Sequence, residues 1–107
     1  MSEQERAYGF HAGEIETAYL LHATPALVHS EDYTTNYIAR VDQPELLKPE
    51  GSSANFAWLT KDIAPSGVLG DPTAATAEKG ERWSNDAAAR IAELLVAMYN
   101  FEPRYGA

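Results

Sequence analysis

Cysteine is absent from this 107-residue chain, and basic residues are few, with 8 Lys and Arg against 16 Asp and Glu. The lack of thiols excludes disulfides, thiolate catalysis and cysteine-ligated metal sites, and it fits a reducing compartment. The formal net charge of -8 disfavours nucleic acid and anionic membranes, because phosphates are neutralised by clustered Lys and Arg. No apolar run approaches membrane-spanning length and no basic-then-apolar leader is visible, so we expect a soluble cytoplasmic protein.

The chain length fits one small domain, residues 1–107, with a modest core. Residues 1–9 are mostly polar and show no hydrophobic period, which predicts a flexible start. A first helix is predicted from Glu14 to about Ala23, because the residue before Pro25 is pushed out of the α region. Its apolar residues do not keep to one narrow stripe, which indicates a helix covered on more than one side. A chain this small has little material for such cover, so we expect a missing half.

A second main helix is predicted after Asp71-Pro72, since Asp suits the N-cap and Pro suits the first helical position. Gly80 and residues 84–86 weaken it midway, so one kinked helix and two consecutive helices are both open. Short strands are predicted over residues 37–41 and 55–60, between Pro- and Gly-rich segments. One apolar face of the second helix is marked by Ile91, Leu94, Leu95 and Met98.

Residues 11–17, His-Ala-Gly-Glu-Ile-Glu-Thr, bring a histidine, a glycine and two carboxylates together just before the first helix. Histidine can act as base, acid or metal ligand near neutral pH, and Gly13 leaves room for an approaching ligand. Free backbone N–H groups at a helix N-terminus favour negative charge, which suits Glu14 and Glu16 or an anionic ligand. From the residues alone, an ordinary loop histidine followed by solvated first-turn acids remains an open interpretation.

Two blocks of the sequence carry a family resemblance. The first is residues 11–17, followed by Leu-Leu-His at 20–22 and the Pro-x-Leu-Val step at 25–28; the second is Ala-Pro-Ser-Gly-Val-Leu-Gly-Asp-Pro at 64–72, followed by Ala-Thr-Ala-Glu-Lys-Gly at 75–80. In this order they resemble the His-Ala-Gly-x-x-Glu-Thr-Ser segment, the Ser-Pro-Ser-Gly-Val-x-Gly-Asp-Pro loop and the opening of the last helix of the creatininase (creatinine amidohydrolase) family. Ala18 stands where the family usually has Ser, which removes a hydrogen-bonding group.

The resemblance implies an α/β chain that corresponds to the C-terminal half of a three-layer α/β/α fold, with two main helices and short strands. It also implies a metal-dependent amidohydrolase that cleaves a non-peptide carbon–nitrogen bond in a cyclic or linear amide. The family's main metal ligands lie in a Glu-x-His element, a following Asp and a Gly-His-x-x-Asn turn, and this sequence has none of these motifs. We therefore expect zinc, manganese or iron to bind only when a complementary N-terminal half supplies the ligands, whether this chain is a fragment or a separately encoded piece.

The resemblance implies roles for five residues. His11 corresponds to a histidine beside the metal centre that handles protons on the scissile amide, and Glu16 to the buried acid that follows it. Phe56 and Trp58 are candidates for lining a pocket for the substrate, although aromatic residues in a strand are also typical of a core. Ser66 is a candidate near the mouth of the site, or a turn residue.

Two further interpretations stay open. His22, His29 and Asp32 could join His11 in a local metal site, but their spacing matches no compact ligand pattern, and a histidine in an apolar helix is typical of a core. The chain could also be a non-catalytic interaction or oligomerisation module, a remnant of such an enzyme. Related enzymes form hexamers, so the resemblance implies a homo-oligomer as well as a small-molecule amide substrate.

Overall fold

The computed structural model describes residues 1–38, 46–103 and 106. This part of the chain contains the α-helices α1 (Glu3–Tyr8), α2 (Glu14–Ala23), α3 (Thr60–Ile63) and α4 (Ala77–Tyr99). Single 3-10 turns lie at Pro25–Leu27, Ser30–Asp32 and Pro72–Ala74. The strands β1 (Leu47–Lys48) and β2 (Ala54–Asn55) pair in parallel, with Leu47 opposite Ala54. None of the helices described is both long and apolar enough to cross a membrane.

The chain starts with a helix, where the sequence predicted an irregular, flexible segment. The hydroxyl of Ser2 caps α1 by accepting a hydrogen bond from the N–H of Glu5 at 3.1 Å. The side chain of Glu5 is directed inward, and the residue is only 4% exposed. Glutamate is seldom buried unless it is paired, so the polar composition of this segment gave no sign of an anchor. The sequence did not predict α1, because a buried carboxylate and not an apolar residue holds this helix in place, while the flexibility of residues 1–9 stays a prediction.

The two predicted main helices pack directly against each other. α2 has the predicted bounds, and Ala18 on its packed face is completely buried. Gly80, in the first turn of α4, lies so close that a Cβ there would overlap the carbonyl group of Ala18. Beside this contact, the Nζ of Lys79 lies 2.6 Å from the Oε1 of Glu14, whose side chain is 2% exposed. Glu14 is therefore a buried, paired acid and not the solvated first-turn acid that the sequence predicted.

The start of α4 differs from the prediction. Asp71 does cap a helix, since it accepts a hydrogen bond from the N–H of Thr73 at 3.0 Å, but that helix is only the 3-10 turn Pro72–Ala74. Thr76 then caps α4 with its own hydroxyl. α4 runs for 23 residues without a break at residues 84–86. Of the two open alternatives, the structure has one continuous helix.

Little of the predicted strand structure forms in the described residues. Of the strand expected over residues 55–60, only Asn55 belongs to β2, and Thr60 already begins α3. Residues 37 and 38 are not in a strand, while 39–41 lie outside the described residues. Strands need neighbours to become stable, and an isolated pair of short strands is marginal in water. The β-branched and aromatic residues therefore predicted more sheet than the described part of the chain forms.

The buried core is small, and a broad apolar surface remains in solvent. Among the described residues, the fully buried apolar ones are Ala18, Ala64 and Leu69. Ile15 and Leu20 of α2 are 38% and 50% exposed, so the predicted cover of this helix on several sides is not formed by the part of the chain described. The predicted apolar face of α4 is between 56% and 72% exposed at Ile91, Leu94, Leu95 and Met98. The radius of gyration is 17.6 Å, whereas a compact domain of this length has about 13 Å.

Candidate functional site

His11 lies in a backbone bridge that joins the two motif blocks. Its N–H donates to the carbonyl oxygen of Leu69 at 3.1 Å, and the N–H of Leu69 donates to the carbonyl oxygen of His11 at 2.8 Å. Leu69 is completely buried, so it anchors the bridge, while the imidazole of His11 stays 53% exposed. The backbone of His11 is therefore fixed and its ring is accessible.

The side chain of Glu16 folds back from the first turn of α2 onto the loop that carries His11. Its Oε2 lies 3.6 Å from the Nδ1 of His11 and accepts a hydrogen bond from the N–H of Ala12. Ala12 has a φ of 52°, in the left-handed region that residues with a Cβ seldom adopt. The carboxylate of Glu16 thus supports an unusual turn and faces the imidazole. It is 55% exposed, so the expectation of a buried acid is wrong for this chain.

The carboxylate of Glu5 holds the same loop from another side, and sequence reasoning missed it. Its Oε1 accepts a hydrogen bond from the N–H of Glu14 at 2.8 Å. Its Oε2 accepts from the N–H of Asp71 and from the hydroxyl of Tyr37, both at 2.9 Å. Gly13, the N-cap of α2, has no side chain that could accept a hydrogen bond from the free N–H groups of that helix end. Glu5, which lies on α1, accepts one in its place.

Three glycines leave the space that Glu5 fills. A Cβ on Gly9 would lie 2.6 Å from the carboxyl carbon of Glu5, and a Cβ on Gly70 would lie 2.8 Å from its Oε1. A Cβ on Gly13 would overlap that oxygen. Gly70 also has a φ of 152°, which favours glycine. These glycines, two of them inside the motif blocks, are the signal that could have revealed a buried side chain at this point.

Two ionisable groups beside Glu5 are perturbed. Burial, the hydrogen bond to Glu5 and the negative charges of Glu5 and Asp71 raise the pKa of Tyr37 to about 12. The hydrogen bond from the Thr73 hydroxyl, together with those from the Thr35 hydroxyl and the Thr73 N–H, lowers the pKa of Asp71. At neutral pH Tyr37 therefore remains a hydrogen-bond donor to Glu5, and Asp71 remains an ionised cap.

An open cavity of about 300 Å³ adjoins the His11 loop. His11 and Glu16 both line it, together with Arg6, Phe10 and Ile15. Its volume is at the lower end of the range for small-molecule sites, and its wall combines apolar side chains with a few polar groups. The arrangement suits a small substrate that reaches the imidazole from solvent.

The three predicted substrate-binding residues lie outside this cavity. Phe56 and Trp58 are partly buried in the irregular segment between β2 and α3, and Ser66 is exposed. The Oγ of Ser66 accepts a hydrogen bond from the N–H of Val68 at 3.3 Å, which is the turn role that the sequence also allowed. None of the three lines the cavity beside His11 within the described ranges. Their contact with a substrate stays a prediction.

Metal donors in the described ranges come together away from the His11–Glu16 pair. The donor atoms of His29, Glu31 and Asp32 lie within 4.8 Å of one another, but all three residues are exposed, and such groups are common without a metal. Neither His11 nor His22 belongs to this group. At the cavity, His11 and Glu16 offer one imidazole and one carboxylate, and the carboxylate of Glu5 is already engaged by three protein donors, whereas a catalytic zinc needs about three protein ligands. The kinds of donor fit a divalent metal, but their number does not complete a site.

Comparison with protein families matches residues 1–95 to creatininase, described as creatinine amidohydrolase. The chain belongs to the creatininase family. Over 72 residues it is 42% identical to a mycofactocin precursor peptide peptidase of Mycobacterium tuberculosis and 38% identical to those of Mycolicibacterium smegmatis and Mycobacterium ulcerans. These alignments cover 67% of this chain and 26% of each relative, so the chain spans about a quarter of their length. No solved structure matches it.

Creatininase membership confirms the resemblance that the two motif blocks carry. The family has an α/β fold, with which the four helices and the short parallel sheet of the described residues are compatible. Its members are hydrolases that generally depend on a metal. The match begins at residue 1, so it includes α1 and Glu5, which lie upstream of the first motif block.

Proposed function

We propose that this chain is part of a metal-dependent amidohydrolase and carries its proton-transfer residues. The observation that supports this proposal best is the approach of the Nδ1 of His11 to the Oε2 of Glu16 at 3.6 Å, at the edge of a cavity. At this distance the two groups do not form a hydrogen bond, but the negative charge of the carboxylate attracts the ring whenever the imidazole is protonated. Membership of the creatininase family directs the reaction class towards hydrolysis of a carbon–nitrogen bond.

In the proposed reaction His11 donates a proton to the leaving nitrogen as the amide bond breaks, and Glu16 holds the ring towards the substrate. A divalent metal, zinc, manganese or iron, supplies Lewis-acid activation of water and of the carbonyl when it is bound. Among the described residues, His11 and Glu16 are the cavity's candidate ligands, because Glu5, which also lines it, is already engaged by three hydrogen bonds. We therefore assign the main metal ligands to a complementary N-terminal half. The backbone bridge to Leu69 keeps His11 in place, so the proton donor does not have to be ordered during the reaction.

The proposed substrate is a small amide, cyclic or linear, as the cavity volume of about 300 Å³ suggests. The relatives are named as peptidases of a precursor peptide. A peptide amide is therefore a second kind of substrate to test. Phe56, Trp58 and Ser66 remain proposed substrate contacts.

The proposed assembly is a cytoplasmic one in which this chain is a partial domain over residues 1–107. Either a complementary N-terminal half or a second copy in a homo-oligomer would cover the apolar face of α4. A non-catalytic interaction module is the second candidate function. Two observations favour it: the exposed apolar face at Leu94 and Leu95, and the incomplete set of metal donors in the described residues.

The test is a complementation assay. The chain is purified alone and after co-expression with the N-terminal portion of the Mycobacterium tuberculosis relative, then assayed with zinc, manganese or iron(II) on creatinine and short peptides. We expect turnover only with both the metal and the N-terminal portion. His11→Gln should lower the rate by about 100-fold or more, since general acid catalysis contributes roughly that much.

The matched control is His22→Gln, because His22 is exposed on α2 and does not line the cavity. An equal loss of rate in this variant would contradict the role of His11. Turnover by the chain alone would show that the ligand assignment is wrong. Stable binding of the N-terminal portion without turnover under any of these conditions would favour the interaction module.

A further inference from the structure

We propose that Glu5 is a positioning residue that determines the conformation of the His11 loop. The residue is 4% exposed, and its two carboxylate oxygens accept hydrogen bonds from Glu14, Tyr37 and Asp71. The catalytic consequence of this role rests on the proposed function, whereas the structural role can be tested without any substrate.

The three groups directed at Glu5 are all donors, and this specifies a carboxylate. Two are backbone N–H groups, and the third is the hydroxyl of Tyr37, which the raised pKa keeps protonated. Glutamine offers one acceptor oxygen, and its NH2 group would face another donor. Aspartate is shorter by one methylene and cannot reach both sides from α1. The N–H of Glu14 is also one of the free donors at the start of α2, where the helix dipole favours negative charge.

The His11 bridge joins two backbone segments, and each oxygen of Glu5 binds one of them. Oε1 binds the N–H of Glu14, three residues after His11. Oε2 binds the N–H of Asp71, two residues after Leu69, the backbone partner of His11. Between His11 and the attachment at Glu14 lies Ala12, whose left-handed conformation must be held by its surroundings. Removal of the carboxylate would release both ends of the bridge together.

The close packing around Glu5 makes this attachment specific. A Cβ on Gly70 would lie 2.8 Å from the Cα of Gly13 as well as from Oε1 of Glu5, so the two backbones are in contact where the carboxylate holds them. Glu5 also lines the cavity, but both of its oxygens accept hydrogen bonds from protein donors and the residue is only 4% exposed. It therefore acts on the reaction through the loop that it holds.

The experiment is amide hydrogen exchange measured by NMR on the whole chain, with Glu5→Gln compared to the wild type. We expect the exchange rates at Glu14 and Asp71 to rise about tenfold or more, since hydrogen bonds to a charged group are the strong ones. The imidazole resonances of His11 should shift, while exchange in the middle of α4, residues 88–95, should be unchanged. The control is Glu3→Gln, because Glu3 is an exposed acid on the same helix.

Unchanged exchange at Glu14 and Asp71 in Glu5→Gln would overturn the proposal. A uniform rise that includes α4 would also overturn it, because it would mean a general loss of stability. If Glu5→Gln does not fold, the same comparison in Glu5→Asp decides, since this variant keeps the charge but shortens the reach. In the complemented enzyme, Glu5→Gln should lower kcat with little change in KM; a wild type without turnover would count against the proposed function and leave the exchange result valid.

Discussion

At the scale of single residues, Glu5 and Glu16 show how two carboxylates near one histidine take different tasks. Glu5 is enclosed by donors from three parts of the chain, whereas the side chain of Glu16 is 55% exposed and faces the imidazole of His11. The first is suited to hold the backbone and the second to orient the ring. Residue type alone does not distinguish them; their surroundings do.

Tyr37 gives the carboxylate cluster a measurable pH dependence. Its pKa is raised from 10.0 to about 12, mainly by burial and by its hydrogen bond to Glu5, so the folded state holds this proton more tightly than the unfolded state does. The contribution of Tyr37 to stability is therefore complete below pH 10 and is lost as the pH rises towards 12. Tyr37→Phe should lower the free energy of unfolding at pH 8 by about 1 kcal/mol and should flatten its decline at alkaline pH.

Urea denaturation at pH 8, 10 and 11, followed by circular dichroism, measures this difference between the variants. Tyr99→Phe is the control, because Tyr99 is 90% exposed and should keep the wild-type pH profile. An alkaline decline in Tyr37→Phe as steep as that of the wild type would contradict the assignment.

The residues of the His11 loop could be identified from the sequence, but Glu5 could not. His11 and Glu16 are part of a short continuous motif, so both are visible in the residue order. The partners of Glu5 are backbone groups 9 and 66 residues away and a tyrosine 32 residues away. No local pattern records such contacts, and backbone donors carry no residue type that a sequence could reveal.

At the scale of elements, the sequence predicted a helix correctly where the residues that determine its bounds lie within it or next to it. The bounds of α2 depend on the residues within it and on Pro25, and the prediction for this helix is confirmed. α4 depends on its own cap at Thr76, whereas the Asp-Pro signal at Asp71 begins only the preceding 3-10 turn. The strand predicted over residues 55–60 is wrong except at Asn55, because its stability depends on neighbouring strands that residues 46–103 do not supply.

The crossing of α2 and α4 predicts an unusual sign for a glycine substitution. Replacing a helical glycine by alanine normally stabilises a protein by about 0.5–1 kcal/mol, because glycine is a poor helix former. At Gly80 the added Cβ would overlap the carbonyl group of Ala18 and lie 2.9 Å from the Cβ of His22. We expect Gly80→Ala to lower the free energy of unfolding by about 1–3 kcal/mol, as overpacking does.

Thermal and urea unfolding of Gly80→Ala beside Asn85→Ala test this expectation. Asn85 is exposed on the same helix, so alanine there should be neutral or slightly stabilising. Equal or greater stability of Gly80→Ala relative to the wild type would show that the helices do not cross as described.

At the scale of the whole molecule, the chain has too little core for its apolar surface. The sequence predicted too little covering material for α2, and in the described part of the chain the apolar face of α4 is exposed as well. The sequence could not predict a partner for that face, because an apolar surface does not specify what packs against it. The curated relatives are about four times as long as the region they share with this chain, which is consistent with a larger assembly.

The contrast between the small buried core and the exposed face of α4 predicts very different losses of stability for two leucine-to-alanine substitutions. Leu69 is 0% exposed, and Leu69→Ala should lower the free energy of unfolding by about 2–5 kcal/mol. Leu94 is 60% exposed, so Leu94→Ala should cost less than about 0.5 kcal/mol in the isolated chain. Urea denaturation gives both values, and a large loss in Leu94→Ala would mean that the α4 face is already covered in solution, by a second copy if the loss depends on protein concentration.

The bridge between His11 and Leu69 also has a consequence for the order of folding. The turns inside α2 and α4 form from neighbours in the chain, whereas the bond from Asp71 to Glu5 closes a loop of 66 residues. Loop closure costs entropy before the contact can stabilise anything, so the His11 loop should be among the last parts to assemble. A folding intermediate would then show nearly full helical circular dichroism while its imidazole still moves freely.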